Sequence, residues 1–388
     1  MKRLACASLL VLAIGCGSSQ TPPEGAPEPS QRTRNGQRIP TSLDSARRNT
    51  VIENGRPDLP ARAGMLVVAN QQGASATVLD AATLKAIVTI PVGVGPHEVA
   101  VSPDGRWAVV TNYGDRTVQG NTLSVIDLAA ATPALARTIG LGEYHRPHGA
   151  AFVANGSKLL VTSETSQRLL IVDFASGTVD TALATDARGT HMVTTRRDGR
   201  RAWTANVGDS SVTEFDVDAR RTVRTYHGAA QNEGIAATPG GVDLWIGSNT
   251  DKTVTVLDAA KDSVVEILTG FGHPYRIGIS RTSGIAVIND PVSNRIWLYD
   301  IVSRHRLAEL DLSKVDGLVV AKTNGGAPGG AGAGPEGVTF DPIANFAYVT
   351  LNGTNQVVAV DLGARKVVGH GGVGAAPDGI AFSQQVHR

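Results

Sequence analysis

From residue 65 onward, apolar and polar positions alternate over short runs, and Gly, Asp, Asn and Pro punctuate the runs. In GPHEVAVSPDGRWAVVTNYG (95–114) one alternation enters an SPDG turn, a second leaves it, and a Thr-Asn pair closes it. Alternation at period two in segments rich in β-branched residues predicts strands, and turn residues between the runs predict hairpins. The same pair of runs recurs at 146–163, 188–206, 231–248, 273–289 and 334–351. Each is followed by a third apolar run ending in Asp (LSVIDL, LLIVDF, VTEFDV, VTVLDA, IWLYDI, VVAVDL) and by a short fourth run.

The aspartates Asp80, Asp127, Asp173, Asp216, Asp258, Asp300 and Asp361 mark the period, with spacings of 47, 46, 43, 42, 42 and 61 residues. Four short strands in such a unit make a propeller blade. Six units are complete; the segment 65–91 lacks a first strand, and APDGIAF (376–382) is a first strand with nothing after it. The prediction is an all-β, seven-bladed β-propeller of four-stranded blades, closed by the C-terminal first strand joining the N-terminal blade. Such closure removes the two free sheet edges that an open ring would leave.

In a propeller the first strand of each blade lies nearest the axis, so the residues that open these strands gather at one mouth of the channel. Aligned, these are His97, His148, His191, Glu233, Tyr275, Glu336 and Asp378. Imidazole and carboxylate groups suit Zn, Mn, Fe or Cu, and His97, His148 and His191 are the expected metal ligands. The plain alternative is a hydrated channel whose polar groups satisfy one another. Arg146, Arg188 and Arg276 stand beside the ring positions and would favour a small anionic ligand if they face the same mouth. The 61-residue spacing holds NGGAPGGAGAG (324–334), which leads into Glu336 and reads as a lid or as a tolerated insertion. On the opposite face, Arg196, Arg197, Arg200, Arg201, Arg220, Arg221 and Arg224 of the fourth blade predict a local positive patch, with Asp198 and Asp218 interspersed.

VVTN (109–112), YVTL (348–351), WTAN (203–206), LVTS (160–163) and the SPDG turn (102–105) give residues 64–383 a resemblance to the bacterial YVTN-repeat β-propellers. The resemblance implies the fold and an exported binding or surface protein, and no particular reaction. More distant propellers include lactonases, lyases and metal enzymes; a gluconolactonase-type calcium site would need acidic and amide ligands, from which a ring of histidines departs. The Asn and Ser residues that close the second strands are expected to tie turns rather than to bind ligands.

The N-terminal segment has a different character. Lys2 and Arg3 precede an apolar stretch from Leu4 to Gly15, too short to cross a bilayer and suited to a signal-peptide core. Ala13-Ile14-Gly15-Cys16 resembles a bacterial lipobox, which implies cleavage after residue 15 and a lipid on Cys16. Gly17 at the next position, in place of Asp, favours the outer membrane of a two-membrane envelope. Residues 16–62 are rich in Pro, Gly, Ser, Gln and Arg without an apolar period and read as a tether. The propeller is expected over 63–388.

Both cysteines of the chain precede residue 17, so the propeller has no thiol for a disulfide or a thiolate metal site, and no C-x-x-C-H for a c-type haem. A net charge of +1 argues against a general nucleic-acid binder, and no nucleic acid is expected as a partner. The expected protein is a cell-envelope lipoprotein whose propeller is a binding module for a divalent metal, a small anion or another envelope protein. The alternative is a lactonase-like, metal-dependent hydrolase or lyase acting at the ring.

Overall fold

The computed structural model describes residues 62–153, 155–228, 231–318 and 332–387. The expected signal sequence, Cys16, the expected tether up to residue 61 and most of the Gly-rich insertion lie outside the described residues. No helix among the described residues is long and apolar enough to cross a membrane.

Seven four-stranded antiparallel sheets form the seven-bladed β-propeller. Blade one combines Pro377–Ser383 with Met65–Asn70, Ser75–Asp80 and Ala86–Pro91, in that order across the sheet. The closing pairing is antiparallel and sets Met65 opposite Ser383 and Val67 opposite Ala381. Beyond the strand, Ser383 Oγ donates to the Gly105 carbonyl at 2.5 Å and Gln385 Nε2 to that of Asp104 at 3.2 Å, so the chain end also latches onto the first turn of blade two.

The other first strands are Pro96–Val101, Pro147–Phe152, Thr190–Thr195, Asn232–Ala237, Arg276–Ile279 and Pro335–Asp341, opening blades two to seven. Each touches the first strands of both neighbouring blades, so the seven form a closed inner cycle. Burial follows the distance from this cycle. Val287, Ile288 and Leu298 in middle strands are fully buried, whereas the fourth strand Ser263–Leu268 is exposed at all but its last residue. The apolar core lies between blades: Leu66 and Val68 of blade one pack with Tyr348, Val357 and Ala359 of blade seven, and Trp245 of blade five packs with Trp297 and Tyr299 of blade six. A side chain of this kind contributes roughly 1.5–3 kcal/mol on full burial, which is why flat sheets stack face to face around the axis.

Two local devices aim the opening residues. In six blades the first strand carries a bulge at its start; in blade two, Pro96 pairs with Asn112 and Val99 with Val110, leaving His97 and Glu98 opposite Thr111 alone. A bulge re-aims a side chain that a regular strand would alternate away. The second device is a Thr of the second strand. Thr350 Oγ1 accepts from the Gly337 N–H and donates to the Asp378 carbonyl, both at 2.7 Å, tying the bulge of its own blade to the next first strand. Thr111 does the same for Glu98 and His148, and Thr162 for Gly149 and His191. Neighbouring strands approach so closely that a Cβ on Gly337 would stand 2.2 Å from the Asp378 carbonyl oxygen. Asn70 and Asn112 tie turns as expected, accepting from the Gly374 and Gly93 N–H, whereas Asn289 donates to the Glu336 and Gly337 carbonyls of the next blade's bulge.

Candidate functional site

The bulges of blades two, three and four bring three imidazoles into a tilted stack. His97 and His148 have ring centroids 4.0 Å apart, and His148 and His191 3.5 Å apart. His148, in the middle, is fully buried; His97 and His191 are 7% and 9% exposed. Tyr113, near the end of the second strand of blade two (Trp107–Gly114), meets His97 and His148 edge-on at 5.3 and 5.6 Å.

Carboxylates hold the outer imidazoles. His191 Nδ1 lies 3.0 Å from Glu164 Oε2 and its Nε2 2.5 Å from Glu233 Oε1. Glu164 also accepts from the Tyr113 hydroxyl at 3.0 Å. His97 Nδ1 is 2.8 Å from Asp378 Oδ2, close enough for an ion pair though out of line for a hydrogen bond. His148 differs: neither of its ring nitrogens has a partner. Two groups of potential ligand atoms share it. Those of His97, Glu98 and His148 all lie within 4.8 Å of one another, and so do those of His148, His191 and Glu233.

Blade six supplies the cation. Its first strand has no bulge, so Arg276 pairs with Asn289 as Pro96 pairs with Asn112. Alignment of the strand starts predicts Tyr275 at the ring position; the missing bulge puts Arg276 into the cluster, 3% exposed, and stacks Tyr275 beneath its guanidinium at 4.5 Å. Arg276 Nε and Nη2 donate to Glu98 Oε1 at 3.1 and 2.8 Å, and Nη1 donates to Glu233 Oε1 at 2.8 Å. Its Nη2 is also 3.7 Å from Asp378 Oδ1.

The ionisation states follow from this packing. Burial, with His191, His97 and Arg276 nearby, holds His148 well below the ordinary imidazole value, so it is neutral at pH 7. Burial would also push His191 down, but Glu233 and Glu164 outweigh it and raise it to about 9. Burial opposes ionisation of Glu233, yet His191 and Arg276 hold it well below the usual carboxylate range. Burial likewise opposes ionisation of Asp378, and His97 and Arg276 prevail. Glu98 goes the other way: burial raises it in spite of Arg276. Burial and Asp378 raise Glu336, which accepts from Asn352 Nδ2 at 3.0 Å.

The sequence-predicted arginines do not converge here as a group. Arg188 is a solvent-exposed side chain paired with Asp209 at 2.7 Å. Arg146 stacks on the far partner Tyr113 at 4.7 Å and donates to the Asp115 carbonyl. Arg276 does reach the cluster, where its charge is taken up by carboxylates, so no free anion-attracting arginine set forms at this end among the described residues. Glu98, Glu164 and Tyr113 belong to the site and were not anticipated. Glu98 fills the second bulge position, which is glycine in blades one, three, five and seven; a carboxylate in place of that glycine was the available signal.

No family model and no curated protein matches the sequence. Among solved structures, hydrazine synthase of Kuenenia stuttgartiensis is similar at a TM-score of 0.61 and 16% identity, over 75% of this chain and 90% of that one. A functionally unknown protein of Desulfotomaculum acetoxidans DSM 771 is similar at a TM-score of 0.66 and 15% identity, over 83% of this chain and 99% of that one. At such identities the likeness is one of fold, and the fold it supports is the seven-bladed β-propeller.

Proposed function

We propose that the protein is an exported, lipid-anchored envelope propeller of the YVTN type that acts as a binding module, holding one divalent transition-metal ion at its axial histidine cluster. The observation that carries the reading is His148: fully buried, neutral, and with both ring nitrogens unpartnered. A buried polar atom without a partner costs about 1–3 kcal/mol, and a metal bond removes that cost. Glu98, Glu233 and Asp378 surround Arg276 and Glu164 pairs with His191, so four carboxylates face two cations and the cluster has acid to offset an added metal ion.

His97, Glu98 and His148 are the favoured ligands, because both nitrogens of His191 are already engaged by carboxylates. Asp378 would orient His97 from behind, as second-sphere carboxylates do. Two imidazoles and a carboxylate suit Zn, Mn, Fe or Cu. Three ligands would leave positions open, the arrangement a metal-dependent hydrolase or lyase needs. Burial of all three side chains favours retention of the ion over turnover of a substrate.

Metal analysis of the purified protein, followed by calorimetric titration of the metal-free form with Zn, Mn and Cu, tests the reading. Stoichiometric binding that weakens at least tenfold in His148→Ala supports it. Equal binding by wild type and His148→Ala rejects it. The lipid anchor is tested separately: Cys16→Ser should release the protein from the membrane fraction.

A further inference from the structure

The first strands end at the other mouth of the channel, roughly 20 Å from the histidines at about 3.3 Å per residue. A cavity of about 310 Å³ opens there. Its wall draws on blades one, two, six and seven: Val101, Ile279, Phe340 and Phe382 are half-buried apolar side chains, and Arg281 and Thr282 stand at the rim. Arg281 is the charged residue of this lining. In a second depression, between blades four and five and lined also by Arg196 and Asp198, Arg197 lies near enough to act on the charge of Arg281.

Blade four is rich in arginine, and the structure pairs most of it away. Arg196 is held by Asp198, Arg200 by Asp218, Arg201 by Glu214 and Asp216, Arg220 by Asp180, and Arg224 by Glu214. The broad positive patch expected of this face is therefore largely neutralised. Arg197 of this blade and Arg281 of blade six have no carboxylate partner among the described residues. Arg281 and Arg197 are both exposed, and partial enclosure by the cavity wall together with the charge of Arg197 pushes the Arg281 guanidinium below its ordinary value. Two like charges at the rim of an apolar cavity favour a counter-charge from outside.

We propose that this mouth binds a small organic carboxylate. Its charged end faces Arg281, with Arg197 as the second cation, and its apolar body lies against Phe340, Phe382, Ile279 and Val101. Pockets of this kind, apolar with a few placed polar groups, are the usual setting for small ligands. The site is independent of the histidine cluster and does not rest on the metal reading.

Calorimetric titration with 1-naphthoate tests the proposal, with 1-naphthylmethanol as the uncharged probe of the same shape. Naphthoate should bind one per chain, at least tenfold more tightly than the alcohol, and weaken with added sodium chloride. Arg281→Met should weaken it at least tenfold and Arg197→Met by less, both with unchanged melting. His148→Ala should leave naphthoate binding unchanged, so failure here and failure of the metal reading are separate results. Absence of saturable binding to the wild type, equal binding by Arg281→Met, or equal binding of the alcohol would each overturn the proposal.

Discussion

The two ends of the axial channel are built from the same seven strands and reach opposite solutions. At the end where the strands begin, His97, His148, His191, Glu98, Glu233, Arg276 and Asp378 interlock, and nearly every charge has a counter-charge within 4 Å. At the end where they finish, apolar side chains line a cavity and two arginines stand unpaired. The difference lies in local backbone. Bulges turn long polar residues inward at the strand starts, whereas the strand ends run regularly into turns that carry their charges outward. An ion network in a closed space is costly to disturb, because loss of one member leaves the rest buried and uncompensated. A rim charge in contact with water is not.

The strand Pro377–Ser383 spans both ends, bringing Asp378 to the cluster and Ser383 to the latch on blade two. Deletion of residues 376–388 should therefore have the largest effect, with loss of cooperative melting and aggregation on size-exclusion chromatography. A truncated protein that melts like the wild type would refute the closure. Next comes a direct contrast of the two ends. Arg276→Met should destabilise by about 3–5 kcal/mol, as breaking buried ion pairs does, while Arg281→Met should stay within about 0.5 kcal/mol, as for a surface change. Urea unfolding of the two variants decides it, and equal losses would erase the distinction between the ends.

A smaller loss is expected from Thr350→Val, which keeps the shape but leaves the Gly337 N–H and the Asp378 carbonyl without their shared hydroxyl. Each unpaired buried group costs about 1–3 kcal/mol. A variant as stable as wild type would show that the Thr bridge does not hold the ring residues in place.

The smallest effect is the pH dependence of the metal-free protein near neutrality, since pH 6 to pH 8 covers only part of either transition. The folded pKa of His191 is raised, so its contribution is complete below the unfolded value of about 6.5 and is lost as pH rises through about 9. His148 is depressed, so its contribution is complete above about 6.5 and is lost as pH falls below it. Thermal melting should peak near pH 6.5, with Glu233→Gln removing much of the alkaline fall. A flat profile would contradict the assigned charge states.

Much of the architecture was legible along the chain, since a blade is a local object. Its four strands follow from alternation and turns, its period from the recurring Asp, and ring closure from a missing first strand at one end and a spare one at the other. His97, His148, His191, Glu233, Glu336 and Asp378 were readable as a set because they occupy one register of a repeat. The proposed signal sequence and lipid anchor rest on local motifs outside the described residues.

Other features of the site depend on contacts between blades. Glu98 and Arg276 are 178 residues apart in sequence and meet only when blades two and six face each other across the axis. Whether Tyr275 or Arg276 turns inward depends on a bulge, a one-residue change of register that composition does not reveal. Glu164 and Tyr113 come from the ends of second strands, which repeat alignment assigns to turns. The charge of an arginine is visible in the sequence, but its neutralisation is not: Arg276 and Arg281 stand five residues apart, one enclosed by carboxylates and the other facing water. Strand and turn formation are set by neighbours along the chain, whereas ionisation, pairing and cavity shape are set by neighbours in space, and ring closure chooses those.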